Sequence, residues 1–555
     1  MGEHVHGGRI VARAMKAEGI DALFTLTGGH ISAIYDGCKL EGGIRVIDVR
    51  HEQAAAHAAD AYARLTHRPG VAAVTAGPGL TDAITGAANA FYADSPLVLL
   101  AGSNPLQLED MGALQDAPQV ELLAPVTKRS ERVLETRRLE EVLAYAFRDS
   151  LTPRMGPTFV DLPMDVLMGV VEEDQVVSGR AQRFTAQPGP DPVAVVAATD
   201  LLASAEHPVV LSGSGTYWSQ GWEELGRLVE LAGLPLYVNG MSRGILPADH
   251  PNLLAATRKH ALRQADVVLA LGVDFDFRLG YGRSEYYPDG VKVIHVDPEP
   301  GRIGHNRAVE LGVASDIRLF LRALLEQESK LGRTQERPWL VELQDEEAAR
   351  REQRREALES DQTPIHPMRF AAEVARFADR DALFVGDGGD VVALAAGVVE
   401  VNLPGHWMDP GPFGCLGVGA PFALAARHLK PDAQIVVVHG DGSFGFNGFE
   451  YESAARQGLP FLGVIGNDGA WGEMKAFHER AYGPEDMVAQ DLSQGIAYET
   501  VVEGLGGHGE RVTDPDEIRP ALERANDAVR DGVPAVVNVI LDRSFRRTSA
   551  AAYGA

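Results

Sequence analysis

Short apolar runs that stop at a glycine recur along this chain, separated by stretches with helical spacing. DALFTLTG, GIRVIDVRHE, GVAAVTAGPG and SPLVLLAGS each read as a buried strand closed by Gly or a polar turn. The same pattern returns in HPVVLSGSG, LPLYVNG, ADVVLALGVDFDF and VKVIHVDPEPG, and again in IVVV (435–438) and LPFLGVI (459–465). Strands that alternate with helices predict an α/β fold of doubly wound parallel sheets. Three blocks follow: residues 1–180, 193–330 and 365–555. EDQVVSGRAQRFTAQPGPDP (173–192) is polar and Pro-containing and reads as a linker. Residues 331–364 are dense in Glu and Arg at helical spacing and predict a solvated connecting helix.

Composition narrows the class. At 555 residues the chain is too long for one core, and 45% apolar content with 60 Gly suits α/β domains with many tight turns. A formal charge of −27 argues against a nucleic-acid partner. Its two cysteines, Cys38 and Cys415, have no metal-ligand company, so a reducing cytoplasm is expected. The N-terminal segment carries no apolar signal core, and no 18-residue apolar run appears, so no membrane partner is expected.

The segment IVVVHGDGSFGFNGFEYESAARQGLPFLGVIGNDGAWG carries the densest chemistry. Gly440-Asp441-Gly442 closes one strand, NGFEYESAARQ reads as a helix, and Gly466-Asn467-Asp468-Gly469 closes the next strand. A βαβ unit returns both strands in one direction, so Asp441 and Asn467 emerge at the same sheet edge, where open α/β sheets bind ligands. A carboxylate, an amide oxygen and the free carbonyl of Gly469 make a half-shell of hard oxygens that suits Mg²⁺. A lone GDG is a common strand-helix turn with a capping Asp; the pairing, with 24 residues between Gly442 and Asn467, is more specific.

GDG followed about two dozen residues later by NN is the thiamine-diphosphate signature, which this segment resembles, with Gly466 in place of the first Asn. VRHEQAAAHAADAYAR resembles the helix whose glutamate, here Glu52, hydrogen-bonds N1′ of the aminopyrimidine and so promotes loss of the C2 proton. TLTGGHISAIYDG, TAGPGLTDAITGAANAFYADSPLVLLAGS and GALQDAPQ resemble the first domain of the acetolactate-synthase-like superfamily, and DPGPFGCLGVGAPFALAA resembles the segment before its metal motif. The resemblance implies pyrimidine-binding, middle Rossmann-like and diphosphate-binding domains. It implies Leu416 as the apolar wedge under the cofactor, backbone groups of Gly414 and Leu416 at the pyrimidine edge, and Gly77, Gly442 and Ser443 in the cofactor site. Asp441, Asn467 and Gly469 are the implied metal ligands. Glu473, six residues after Asn467, sits where pyruvate decarboxylases carry an active-site glutamate; His30 and Gln115 are substrate-pocket candidates and Trp471 a pocket wall. GSGTYWSQG in the middle block lacks a full GxGxxG and leaves an ADP or FAD site there as an open alternative.

GGHISAIYDG, DFRLGYGR, GDGGD, IGNDGAWG and VVEGLGGHGERV resemble the 2-hydroxyacyl-CoA lyases, relatives of oxalyl-CoA decarboxylase. The implied reaction is cleavage of a 2-hydroxyacyl-CoA to formyl-CoA and an aldehyde or ketone, through addition of the cofactor's ylide to the thioester carbonyl. Acetolactate-synthase-type carboligation of pyruvate and oxalyl-CoA decarboxylation are the alternatives, with a catalytically dead regulatory subunit as the rival from another class. Arg243, Arg278, Arg283 and Arg258-Lys259 are candidates for CoA phosphates, and the basic tail 543–555 for a lid. The family pairs the first domain of one subunit with the third of another, which implies a homodimer or homotetramer.

Overall fold

The computed structural model describes residues 4–179, 186–332 and 337–547. Its nineteen strands among these residues fall into three parallel sheets and one short ribbon. The first part holds β1 (His4–His6), β2 (Ala22–Thr25), β3 (Arg45–Asp48), β4 (Gly70–Val74), β5 (Leu97–Ser103), β6 (Arg129–Arg132), β7 (Thr158–Pro163) and β8 (Val170–Glu172). Strands β2 to β7 form a parallel sheet in the order β3-β2-β4-β5-β7-β6, and β1 and β8 clasp antiparallel beside it. Every residue of β4 and β5 is buried, as expected for strands covered by helices on both faces.

The middle sheet is built from β9 (Pro208–Ser212), β10 (Leu236–Val238), β11 (Val267–Leu271), β12 (Lys292–Asp297) and β13 (Leu311–Ala314), ordered β10-β9-β11-β12-β13. The last sheet holds β14 (Leu383–Asp387), β15 (Trp407–Met408), β16 (Ile435–Gly440), β17 (Leu462–Asn467), β18 (His508–Val512) and β19 (Ala535–Ile540), ordered β15-β14-β16-β17-β19-β18. Counted along the chain, the six strands of the first and of the last sheet both run 2-1-3-4-6-5. The three doubly wound α/β sheets agree with the sequence expectation.

The first and third domains pack through the helix Glu52–Thr66 against the helix Gly419–Leu429, whose Ala-rich faces share one core. Arg64, buried on the first of these, ties all three domains. Its guanidinium donates to Asp60 Oδ1 at 2.8 Å and Oδ2 at 2.7 Å, and to the Asp409 carbonyl at 2.6 Å. Its own carbonyl accepts the hydroxyl of Tyr217 from the middle domain.

Two sequence expectations need correction here. The helix Pro338–Glu352 is solvated on one face only: Trp339, Leu340 and Leu343 on the other are buried, with the Trp339 ring stacked on His207 at 4.4 Å. Its Glu347 carboxylate accepts N–H groups of Ala255, Ala256 and Thr257 at 3.0–3.2 Å, which compensates its burial. Second, the turn after β16 is already helical from Asp441 to Asn447, ahead of the helix Glu450–Gln457. Within the linker readings, residues 180–185 and 333–336 lie outside the described residues. Among the described residues, no helix is long and apolar enough to cross a membrane.

Candidate active site

Strands β16 and β17 are parallel neighbours with Gly440 paired to Gly466, so Asp441 and Asn467 leave the sheet side by side. Asp441 is 4% exposed. Its Oδ2 accepts the Gly469 N–H and its Oδ1 the Gly442 N–H, both at 3.0 Å. Gly469 adopts φ +62°, a left-handed turn open to glycine, which brings its N–H back onto the carboxylate. Burial and then the charge of Asp468 push the Asp441 carboxyl up to about 7, against the pull of those N–H groups. Asp468 itself rises to about 6, through burial and through Asp390. A buried carboxylate held by backbone N–H groups and repelled by its neighbours is a place that favours a cation.

The amide nitrogen of Asn467 donates to Asn538 Oδ1 at 3.1 Å and to the Ile496 carbonyl at 3.4 Å, so its oxygen is the atom that could ligate a cation. The Gly469 carbonyl is not free, as the sequence suggested: it accepts the Leu492 N–H at 2.9 Å, leaving one lone pair. With that correction, the donor set of Asp441, Asn467 and Gly469 fits a hard divalent cation with open positions for water and phosphate oxygens.

Asp441 and Gly442 line a cleft of about 500 Å³ that also meets Leu416, Gly414, Ser443, Trp471, Glu473 and, from the middle domain, Phe277. Asp387, at the end of β14, precedes the cleft-lining Gly388 and Gly389. Its carboxylate accepts N–H groups of Gly417 at 2.8 Å and Gly419 at 3.0 Å, which anchors the loop carrying Leu416. The Asp387 carbonyl takes the Ser443 hydroxyl, so that hydroxyl is committed to backbone. The Trp471 ring packs flat where a side chain at Gly442 would sit, 2.5 Å from that Cβ position.

Glu473 opens the helix Gly472–Tyr482. Its carboxyl is raised by burial and by Asp390, and Arg547 opposes this. Arg547 bridges the two, with Nε 2.8 Å from Asp390 Oδ1 and Nη2 3.3 Å from Glu473 Oε1. The basic tail therefore reaches the cleft edge, with Arg546 also on Glu479 at 2.9 Å; its residues 548–555 lie outside the described residues. The sequence marked Asp387 and Asp390 only as part of GDGGD, with no role for either, and offered no signal for Asn538, because each meets the metal motif through tertiary packing.

The remaining candidates gather in the first domain. Glu52 starts its helix half-buried, its carboxyl raised by burial, and its Oε1 lies 3.3 Å from where a Gly79 Cβ would be. His30 Nδ1 meets Thr75 Oγ1 at 3.0 Å and its Nε2 meets Asn104 Oδ1 at 3.3 Å. Gly77, at φ +56°, backs onto Gln115 and donates its N–H to the buried Gln119 at 2.8 Å. The cleft lining contains no first-domain residue.

The cation candidates for a CoA are not gathered. Arg243 sits over Trp407, Arg278 forks onto Asp276, and Arg283 and Lys259 lie over Tyr281 and Tyr286. At the mouth of Gly213-Ser214, where ADP or FAD was the open alternative, the cavity holds about 30 Å³, while small-ligand pockets begin near roughly 300 Å³. Arg154 lines it, paired with Asp94, Asp274 and Asp297 at 2.8–3.1 Å.

Family models for the N-terminal TPP binding, central and C-terminal TPP binding domains of thiamine pyrophosphate enzymes match residues 5–122, 195–324 and 387–539. A probable acetolactate synthase of Mycobacterium bovis is 42% identical over 544 residues, covering 97% of this chain and 96% of that one. An acetolactate synthase large subunit of Mycobacterium tuberculosis matches equally well. The 2-hydroxyacyl-CoA lyase 2 of Homo sapiens is 33% identical over 588 residues, covering 98% and 92%. Three matched domains in order, and relatives aligned along nearly the whole chain, place this protein in the thiamine pyrophosphate enzyme family.

Proposed function

We propose that this chain makes or breaks a carbon–carbon bond next to a carbonyl, with a thiamine diphosphate anchored through Mg²⁺ at Asp441, Asn467 and Gly469. The observation that carries the reading is the half-shell itself: a buried Asp441 carboxylate, repelled by Asp468 and backed only by N–H groups, beside the Asn467 amide oxygen. Thiamine diphosphate supplies, when bound, a sink for the electron pair of the bond that breaks. The chain's own groups do the rest. Leu416, Gly414 and Gly77 would shape the pyrimidine seat, and Gly442 and Ser443 would lie beside the diphosphate. Glu52, drawn up by partial desolvation, holds a proton for a ring nitrogen. Because Glu52 is absent from the Asp441 cleft, the complete site needs the first domain of a second copy, so at least a homodimer is part of the reading.

For the reaction, the relatives favour acetolactate-synthase-type joining of two 2-oxo acids over the lyase expectation, at 42% against 33% identity. The lyase reading keeps one specific support. Glu473 projects a raised carboxyl into the cleft, where it can take the proton of a substrate 2-hydroxyl as the neighbouring bond breaks, with His30 or Gln115 assisting from the other half. An acyl-CoA partner belongs to that second reading only. The deciding experiment incubates the holoenzyme with pyruvate and, separately, with a panel of 2-hydroxyacyl-CoA thioesters. Acetolactate supports the first reading; formyl-CoA with an aldehyde or ketone supports the second and removes the first.

A further inference from the structure

Two buried side chains that touch no ligand determine which way the Asn467 amide faces. Asn467 ends β17 at 2% exposure, and Asn538, fully buried, lies on the neighbouring β19. Asn538 Nδ2 donates to Glu499 Oε2 at 2.6 Å and to the Ile496 carbonyl at 3.0 Å. Its Oδ1 accepts from Asn467 Nδ2 at 3.1 Å, and Asn467 also donates to Ile496 O at 3.4 Å. Glu499, 8% exposed, takes Arg511 Nη1 on its other oxygen at 3.4 Å.

A carboxylate and a peptide carbonyl can only accept. Both hydrogens of both amides are therefore committed, and each amide has one satisfied orientation. Turned over, Asn467 would set its oxygen against Asn538 Oδ1 and Ile496 O, two acceptor–acceptor contacts in a dry interior where such mismatches are costly.

We propose that Glu499 and Asn538 are positioning residues that relay a fixed polarity to Asn467 and hold its Oδ1 toward the divalent cation. The inference rests on the reading of Asn467 as a cation ligand. Ordinary packing would make the two residues matter for stability alone; a relay makes them matter for cation affinity in protein that is fully folded.

The test uses the full chain with thiamine diphosphate and Mn²⁺ as the probe, counting free Mn²⁺ by electron paramagnetic resonance, with circular dichroism and Tm as fold controls. Asn538→Leu and Glu499→Leu are expected to weaken Mn²⁺ binding by about 10–100-fold, the range for groups that orient a ligand. Glu499→Gln, whose amide oxygen can still accept from Asn538, should lose less than about tenfold. If one Leu variant fails to fold, the other decides. Folded Leu variants that bind Mn²⁺ as tightly as the parent overturn the relay while leaving Asn467 a ligand. A parent protein that takes up no Mn²⁺ overturns both.

Discussion

The first and third domains have the same strand order, and each gathers its chemistry where the first and third strands of its sheet lie side by side. In the first domain that crevice lies between β2 and β4 and collects His30, Thr75 and Gly77. In the third it lies between β14 and β16 and collects Asp390, Asp441 and, from β17, Asp468. In the first half Glu52 is raised by partial burial and then by Asp82; in the third, burial and then the charge of Asp468 carry Asp441 up to about 7. Topology sets the place and the loops after each strand set the chemistry. Under the proposed reading, one half would hold an uncharged ring that exchanges protons and the other a cation with its phosphates.

The division can be broken from either side. Asp441→Ala should abolish Mg²⁺-dependent cofactor binding and with it all turnover, seen by calorimetry of thiamine diphosphate with Mg²⁺. Glu52→Gln should bind the cofactor normally yet lose about 10²–10⁴ in kcat, the usual weight of a general acid–base group, and C2 proton exchange followed by NMR should slow in parallel. An equal loss of cofactor binding in both variants would erase the distinction between the halves. Glu473→Gln should likewise leave cofactor binding intact, and under the lyase reading it should abolish cleavage. Near-normal turnover in that variant removes Glu473 from the mechanism.

Arg547 sharpens the third-domain half. Its positive charge lowers the Glu473 carboxyl, while burial and Asp390 raise it. Arg547→Ala removes only the lowering influence, so the Glu473 pKa rises. If Glu473 acts as a base, the acid limb of the kcat/KM profile must move to higher pH; a limb that stays or moves down contradicts the role.

Much of this was legible in the residues. The apolar runs quoted from the sequence do form strands, several of them closing at or just before a glycine, and the Asp441–Asn467 juxtaposition follows from one βαβ unit. What the residues hid is long-range. Gly466 departs from the usual Asn pair, and the structure gives a local reason: a Cβ there would lie 2.8 Å from Val391 and 2.9 Å from Leu541, residues distant in sequence. The charged linker hid a buried Trp339 face because Glu and Arg dominate its pattern, and the Gly469 carbonyl looked free because Leu492 approaches from a separate loop. Gly466→Asn should cost about 1–3 kcal/mol by overpacking, read as a lower Tm, and Val391→Ala in the same chain should restore part of it.

The most direct measurement of the two-half account is complementation. Glu52→Gln and Asp441→Ala are co-expressed with different tags and the mixed dimer is purified. In that dimer one site draws Glu52 from one copy and Asp441 from the other, both intact, while the second site has neither. Unsorted mixtures of the two inactive chains should therefore recover roughly a quarter of parental activity, and purified mixed dimers about half. Mixed dimers that stay inactive, with cofactor bound and fold intact, would show that the halves do not meet across two chains.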